Sequence, residues 1–289
     1  CKVIFSLIVS YKGAIIFIDM YLEFYGLKEK PFSVTSDPNF LYLSMKHREA
    51  ISHMQYGIEE RMGFLEITGE IGTGKTTVSK ALLNTLDEHT KTAFILNSNL
   101  SEIQLLEAIV TDFGIKLKNK NKITMLSELN KFLLEQLRCN NNTVLIIDEA
   151  QNLKPSLLEQ VRLLSNLETE KEKLLQIILV GQPELKEKLA SRELAQLRQR
   201  IAIRYHILPL DRDETKAYIS HRLSIAGSNG NKFFTEGAID EIYRFSNGVP
   251  RLVNIVCDKA LLAGFVANKK TIDKDTIKKC SKEIEGVFE

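Results

Sequence analysis

"FLEITGEIGTGKTTVSKALLNTL", residues 64–86, contains three signals in succession. A short apolar run ends at Gly69, a glycine-rich turn follows, and a stretch of helix-forming residues begins at Lys75. The turn fits G-x-x-x-x-G-K-[ST] from Gly69 to Thr76, directly after an expected strand and directly before an expected helix, which is the context this phosphate-binding pattern requires. Gly72 and Gly74 let the backbone wrap so that N–H groups face a phosphate chain, and the helix amino terminus adds its positive dipole. The expected nucleotide contacts are Gly69, Glu70, Ile71, Gly72, Thr73, Gly74, Lys75, Thr76 and Thr77. Lys75 would reach the β and γ phosphates, and the Thr76 hydroxyl would ligate magnesium. ATP and Mg2+ are the expected cofactors.

Working outward, strand-length apolar runs recur at 64–68, 92–97, 143–148, 175–181 and 203–208. Helical patterns occupy 75–87, 101–113, 124–138, 155–168 and 183–200. The alternation predicts an α/β fold, a parallel sheet covered on both faces in three αβα layers. Ser101 is placed to cap one helix, and Pro155 and Pro183 to open two others. After Pro209 the strand runs stop. Four capped helical patterns, starting near Arg212, Thr235, Pro250 and Asp273, predict a small all-helical domain. The expected division is therefore 20–209 for the αβα core and 210–289 for the helical lid. Residues 1–19 form an apolar run broken by Lys12 and Gly13, too short on either side to span a bilayer, and are read as an upstream extension before Met20.

A second chemical element is "TVLIIDEAQNL", residues 143–153. Asp148, at the carboxyl edge of a buried strand, can hold magnesium through water, and Glu149 can act as general base toward the attacking water. One strand separates the phosphate loop from this acidic strand in sequence, which favours the additional-strand branch of P-loop enzymes, and hydrolysis over phosphoryl transfer to a metabolite. Arg198 and Arg200 end a helix before the last strand, and Arg251 opens a helix in the second domain. Each can stabilise charge on a phosphoryl group.

Composition bounds the rest. A net charge of +2 among 289 residues neither implies nor excludes nucleic acid. Four scattered cysteines without CxxC spacing suggest no zinc site or disulfide framework, and a reducing cytoplasm is expected. His47, His53, His89, His206 and His221 lack ligand spacing and are expected to be surface or packing residues. The basic loop "KLKNKNK", 116–122, is expected to be a solvated loop.

Taken together, "MYLEFYGLKEKPFSVTSDPNFLYLSMKHREAISHMQYGIEERMGFLEITGEIGTGKTT", "LIIDEAQNL", "LVGQPEL", "LRQRIAIRYHILPL" and "GVPRLVN" resemble the general secretion pathway protein A (ExeA) family of AAA+ ATPases, from about Met20 to the end. The resemblance implies a first sensor at Gln182, an arginine finger supplied in trans at Arg200 with Arg198 competing, and a second sensor at Arg251. It also implies a homo-oligomer acting as a switch in assembling a secretion, pilus or polysaccharide-export machine, cytoplasmic or recruited to the inner membrane. Members of that family continue into a transmembrane helix and a periplasmic peptidoglycan-binding region, whereas this sequence stops at Glu289, so the resemblance fits either the shorter soluble relatives or a cut-down secretion ATPase. The alternative is a DNA-dependent regulator of the transposition type, using "KLKNKNK" as a basic contact.

Overall fold

A central sheet of five parallel strands organises residues 45–208 of the computed structural model, which describes residues 21–33, 37–96, 100–117, 119–169 and 172–286. The expected extension at 1–19 lies outside the described residues. The strands are β1 (Phe64–Gly69), β2 (Thr90–Ile95), β3 (Asn142–Ile147), β4 (Gln176–Gly181) and β5 (Ile201–Ile207), in the order β2-β3-β4-β1-β5. All four pairings are parallel. The additional strand is β4, which separates β1 from β3.

Helices in this unit are α1 (Met45–Glu59), α2 (Lys75–Thr85), α3 (Glu102–Asp112), α4 (Lys122–Arg138), α5 (Pro155–Leu164), α6 (Pro183–Leu189) and α7 (Ala195–Arg200). The strand pleat divides the core between them. Ala93, Leu145, Ile177 and Phe64 stand in register across β2, β3, β4 and β1, and pack with Ile109, Leu129, Leu158 and Leu185 from α3 to α6. The alternate residues, such as Leu65 and Ile67, face the opposite side, where Gly57 of α1 lets the helix approach Leu65 and Ile203. Each fully buried Leu or Ile contributes roughly 1.5–3 kcal/mol, so helical cover on both faces is the main stabilising term.

Local signals act as expected at several ends. Ser101 forms a capping box with Gln104, and Pro155 and Pro183 occupy first turns. Two readings need correction. The helix expected over 183–200 is broken: α6 ends at Leu189, and a 3-10 turn, Arg192–Leu194, precedes α7. The α1 helix is an element that the expected set of helices lacks.

The second unit unites residues 21–44 with 209–286. It contains α8 (Arg212–Ile225), α9 (Glu236–Ser246), α10 (Pro250–Val266) and α11 (Lys274–Ile284). The boundary near Pro209 coincides with the expected one, but residues 21–44, read as part of the αβα core, pack instead with these helices. Tyr21, Tyr25, Leu27, Phe32 and Phe40 share a core with Tyr218, Ile242, Val256 and Ile277. The Tyr25 hydroxyl lies 3.0 Å from both Leu261 O and Lys269 O, and Arg222 Nε donates to Pro31 O at 2.5 Å. Among the described residues, no helix is long and apolar enough to cross a membrane.

Candidate functional site

The site is built at the carboxyl ends of β1, β3 and β4. Gly72 and Gly74 adopt φ of 81° and 95°, where a side chain would be strained, and so turn the loop back onto α2. The first helical turn has no side-chain cap, so its N–H groups are available to an anion. Thr73 closes the turn by donating to Glu70 O at 2.9 Å. Gly69, Thr73 and Lys75 are buried, whereas Glu70 and Ile71 are exposed at the loop tip and Gly72, Gly74, Thr76 and Thr77 are half-buried.

Lys75 Nζ donates to Gly69 O at 2.8 Å and to Glu70 O at 2.9 Å. Burial pushes its pKa down, opposed by the charges of Glu149, Asp148, Glu70 and Glu184. The loop thus holds a cation whose hydrogen bonds go to neutral carbonyls, which an anion can replace.

Thr76 opens α2 with its hydroxyl donating to Asp148 Oδ2 at 2.5 Å. Asp148 follows β3 and is 1% exposed, and burial raises its pKa against the Thr76 hydroxyl and the Glu149 N–H, which lower it. A buried carboxylate beside a hydroxyl is a hard-oxygen pair suited to a divalent cation such as magnesium, which would relieve the burial cost.

Glu149 has left-handed backbone, φ 52° and ψ 36°, which turns the chain sharply off β3 into the 3-10 turn Ala150–Asn152. Its carboxylate meets two amides: Gln151 Nε2 at 2.5 Å and Gln182 Nε2 at 3.1 Å. Gln182 is the N-cap residue of α6, immediately after β4. Thus Lys75, Thr76, Asp148, Glu149 and Gln182, distant in sequence, are linked by direct hydrogen bonds or by the charges just described.

Three arginines complete the set of candidates. Arg200, at the end of α7, donates from Nη1 to Ser165 Oγ at 2.6 Å and Asn166 Oδ1 at 2.7 Å. Arg198 is exposed, with Nη1 donating to Ala190 O at 2.9 Å. Arg251 is the second residue of α10 and is exposed.

Two residues at the site escaped sequence reasoning. Gln151 carried no pattern of its own, because its role depends on the turn after Glu149. His47, grouped with surface or packing histidines, is 5% exposed and its Nε2 lies 2.8 Å from Thr73 O of the phosphate loop. That contact spans 26 residues, beyond any local signal.

Residues 58–189 match the family model described as AAA domain. The chain carries an AAA domain. It is similar over 269 residues, at 44% identity, to General secretion pathway protein A of Aeromonas hydrophila, covering 93% of this chain and 49% of that relative. This AAA chain therefore spans about half the relative's length, and the resemblance read from its motifs is borne out over that span. Solved AAA-type folds are also similar: the Aeropyrum pernix ORC2 protein in ADPNP-ADP complexes has a TM-score of 0.64 at 16% identity, covering 89% of this chain and 72% of that one. Drosophila ORC bound to DNA gives 0.68 at 17%, with 92% and 66% covered. The Thermotoga maritima RuvB Holliday junction branch migration motor gives 0.53 at 18%, with 85% and 73% covered. At these identities the structures speak for the fold alone, a parallel P-loop sheet followed by helices.

Proposed function

We propose that this AAA protein binds and hydrolyses ATP with magnesium, and works as an oligomeric switch in assembling a secretion, pilus or polysaccharide-export machine of the cell envelope. One observation carries the hydrolytic part: Lys75, Thr76, Asp148 and Glu149 converge at the ends of β1 and β3, linked by the Thr76–Asp148 hydrogen bond and by the charges that act on Lys75. In this reading the loop from Gly69 to Thr77 cradles the phosphates. Lys75 moves its bonds from loop carbonyls to phosphate oxygens, and Thr76 and Asp148 hold the cation, whose chemistry is to neutralise charge on the phosphates. Glu149 takes a proton from water as the water oxygen bonds to the terminal phosphorus and the bond to the departing diphosphate breaks. Gln182, hydrogen-bonded to Glu149, serves as the first sensor.

The resemblance to general secretion pathway protein A supports the finer roles. Arg200 is assigned as the finger acting on a neighbouring subunit, with Arg198 the competing choice, and Arg251 as the second sensor. A cytoplasmic setting, with recruitment to the inner membrane, follows from the same likeness. The DNA-dependent alternative draws less support, because Lys120 and Lys122 of the basic loop pair with Glu107 and Glu102 in the same chain.

Two experiments test this. Glu149→Gln should bind ATP with affinity close to the parent while its turnover falls about 100-fold or more. Turnover at the parent rate would remove Glu149 as base. Arg200→Ala should bind ATP and lose most hydrolysis alone, then recover activity when mixed with Lys75→Ala subunits that still offer Arg200. Parent-like turnover by Arg200→Ala alone overturns the finger assignment. Running the ATPase assay with and without duplex DNA at two salt concentrations separates the alternative, for which strong, salt-sensitive stimulation is expected.

A further inference from the structure

The turn after Glu149 is tied to β4 and α6 by an amide that the proposed mechanism has not used. Gln151 Nε2 donates to Glu149 Oε2 at 2.5 Å, while Gln151 Oε1 accepts the Gln182 backbone N–H at 3.1 Å. Gln182 returns its own side-chain amide to the same Glu149 oxygen at 3.1 Å. Lys188 of α6 secures the turn from behind, donating to Gln151 O and, at 2.8 Å, to Leu153 O. The approach is close: a Cβ at Gly181 would lie 2.9 Å from Gln151 Oε1 and 2.8 Å from Leu185 Cδ2, so a larger residue there would push the amide away.

Three features make this more than packing. Both polar atoms of the Gln151 amide are used, and on different elements: the donor on Glu149, the acceptor on the start of α6. Both amide donors converge on one carboxylate oxygen, and among the described residues Glu149 Oε1 accepts no hydrogen bond. The backbone of Glu149 sits in the left-handed region, a conformation that costs on the order of 1 kcal/mol for a residue with a side chain and persists only where the surroundings over-determine it.

We propose that Gln151 is a positioning residue for Glu149: its amide binds Glu149 Oε2 to the backbone of Gln182 and so leaves Oε1 as the oxygen that takes the proton from water. This rests on Glu149 being the base. Gln151 touches neither water nor phosphate in this role; it fixes the carboxylate, and misplacing a base by about 1 Å is enough to lower a rate roughly 100-fold. It also joins the base to the sensor residue through one side chain, so that a shift of Gln182 is felt by Glu149.

The test uses the full chain and three variants. Gln151→Glu keeps the length and the acceptor for the Gln182 N–H but removes the donor to Glu149, while Gln151→Met keeps bulk and removes both. Each is measured for kcat, for affinity toward a fluorescent ATP analogue, and for Tm, beside Glu149→Gln. The expected result is a kcat lower by about 10- to 100-fold in both Gln151 variants, with nucleotide affinity within about threefold of the parent. If Glu149→Gln is inactive and Gln151→Glu turns over at the parent rate, the positioning role is wrong and the base assignment stands. If Glu149→Gln turns over at the parent rate, both fall together. A rise in kcat in either Gln151 variant would make the amide a restraint and overturn the proposal, as would a loss confined to nucleotide affinity.

Discussion

The two ends of the same parallel sheet differ in what they do with polar groups. At the carboxyl end, Lys75 and Asp148 are buried, and burial displaces the ionisation of both. At the amino end two hollows open, of about 400 and 810 Å³, the first lined by Asp87, His89 and Asn140 and the second by Glu60, Arg61 and Glu172. In the second, Arg61 donates to Asn142 Oδ1 at 2.9 Å and pairs with Glu172. The Gln176 side chain accepts the Gly63 N–H at 2.7 Å and closes the start of β1. The lesson is that void volume locates space, whereas buried, under-compensated charge locates chemistry. The backbone explains the direction, since parallel strands deliver every connection into a following helix amino terminus at the same edge.

The sharpest way to break this contrast is Lys75→Ala. It deletes charge-assisted bonds worth roughly 1.5–3 kcal/mol each, so nucleotide affinity by calorimetry should fall at least about 100-fold. Binding within a few-fold of the parent would mean that the buried cation is structural. The opposite end should respond in stability alone: Arg61→Ala removes partly exposed hydrogen bonds, costing about 1–2 kcal/mol in denaturant unfolding, while kcat stays within about twofold. A large loss of turnover there would place function at the amino end as well. The smallest effect is expected away from the sheet, at the cap of α11. Asp273 accepts from the Thr276 N–H at 2.9 Å, and that bond, with those from the Thr276 hydroxyl and Lys269, holds its pKa down to about 2. A depressed carboxylate stabilises the fold above its unfolded value and loses that contribution as pH falls toward the folded value, here from about 4 to about 2. Asp273→Ala should cost about 1 kcal/mol near neutrality, show a shallower loss over that acid range, and leave hydrolysis untouched.

Much of the carboxyl end was legible because its signals are local. A strand, a glycine turn and a helix start lie within 23 residues of sequence, 64–86, and Asp148 and Glu149 close an apolar run that can only be a buried strand. Caps at Ser101, Asp211 and Asp273 likewise act within three residues. What escaped depends on neighbours distant along the chain. Gln151 reads as an ordinary loop amide until β4 brings Gly181 and Gln182 against it. His47 reads as a surface or packing residue, with no hint of its contact to Thr73, until α1 is laid beside the phosphate loop. Residues 21–44 directly precede the α/β unit in sequence, so nothing local assigns Tyr21 and Tyr25 to helices that begin about 190 positions later. The break after Leu189 was hidden because "ASRELAQLRQR" retains good helix formers on both sides of the interruption.

That last arrangement bears on how the molecule can be taken apart. The α/β unit is a single uninterrupted stretch, 45–208, whereas the helical unit is assembled from segments on either side of it. A gene fragment can therefore lift out the sheet with two cuts, but no single fragment encodes the helical core. Removing Tyr21 and Tyr25 and removing Ile277 and Cys280 injure the same cluster, so lesions in two segments far apart along the chain should produce one shared folding defect.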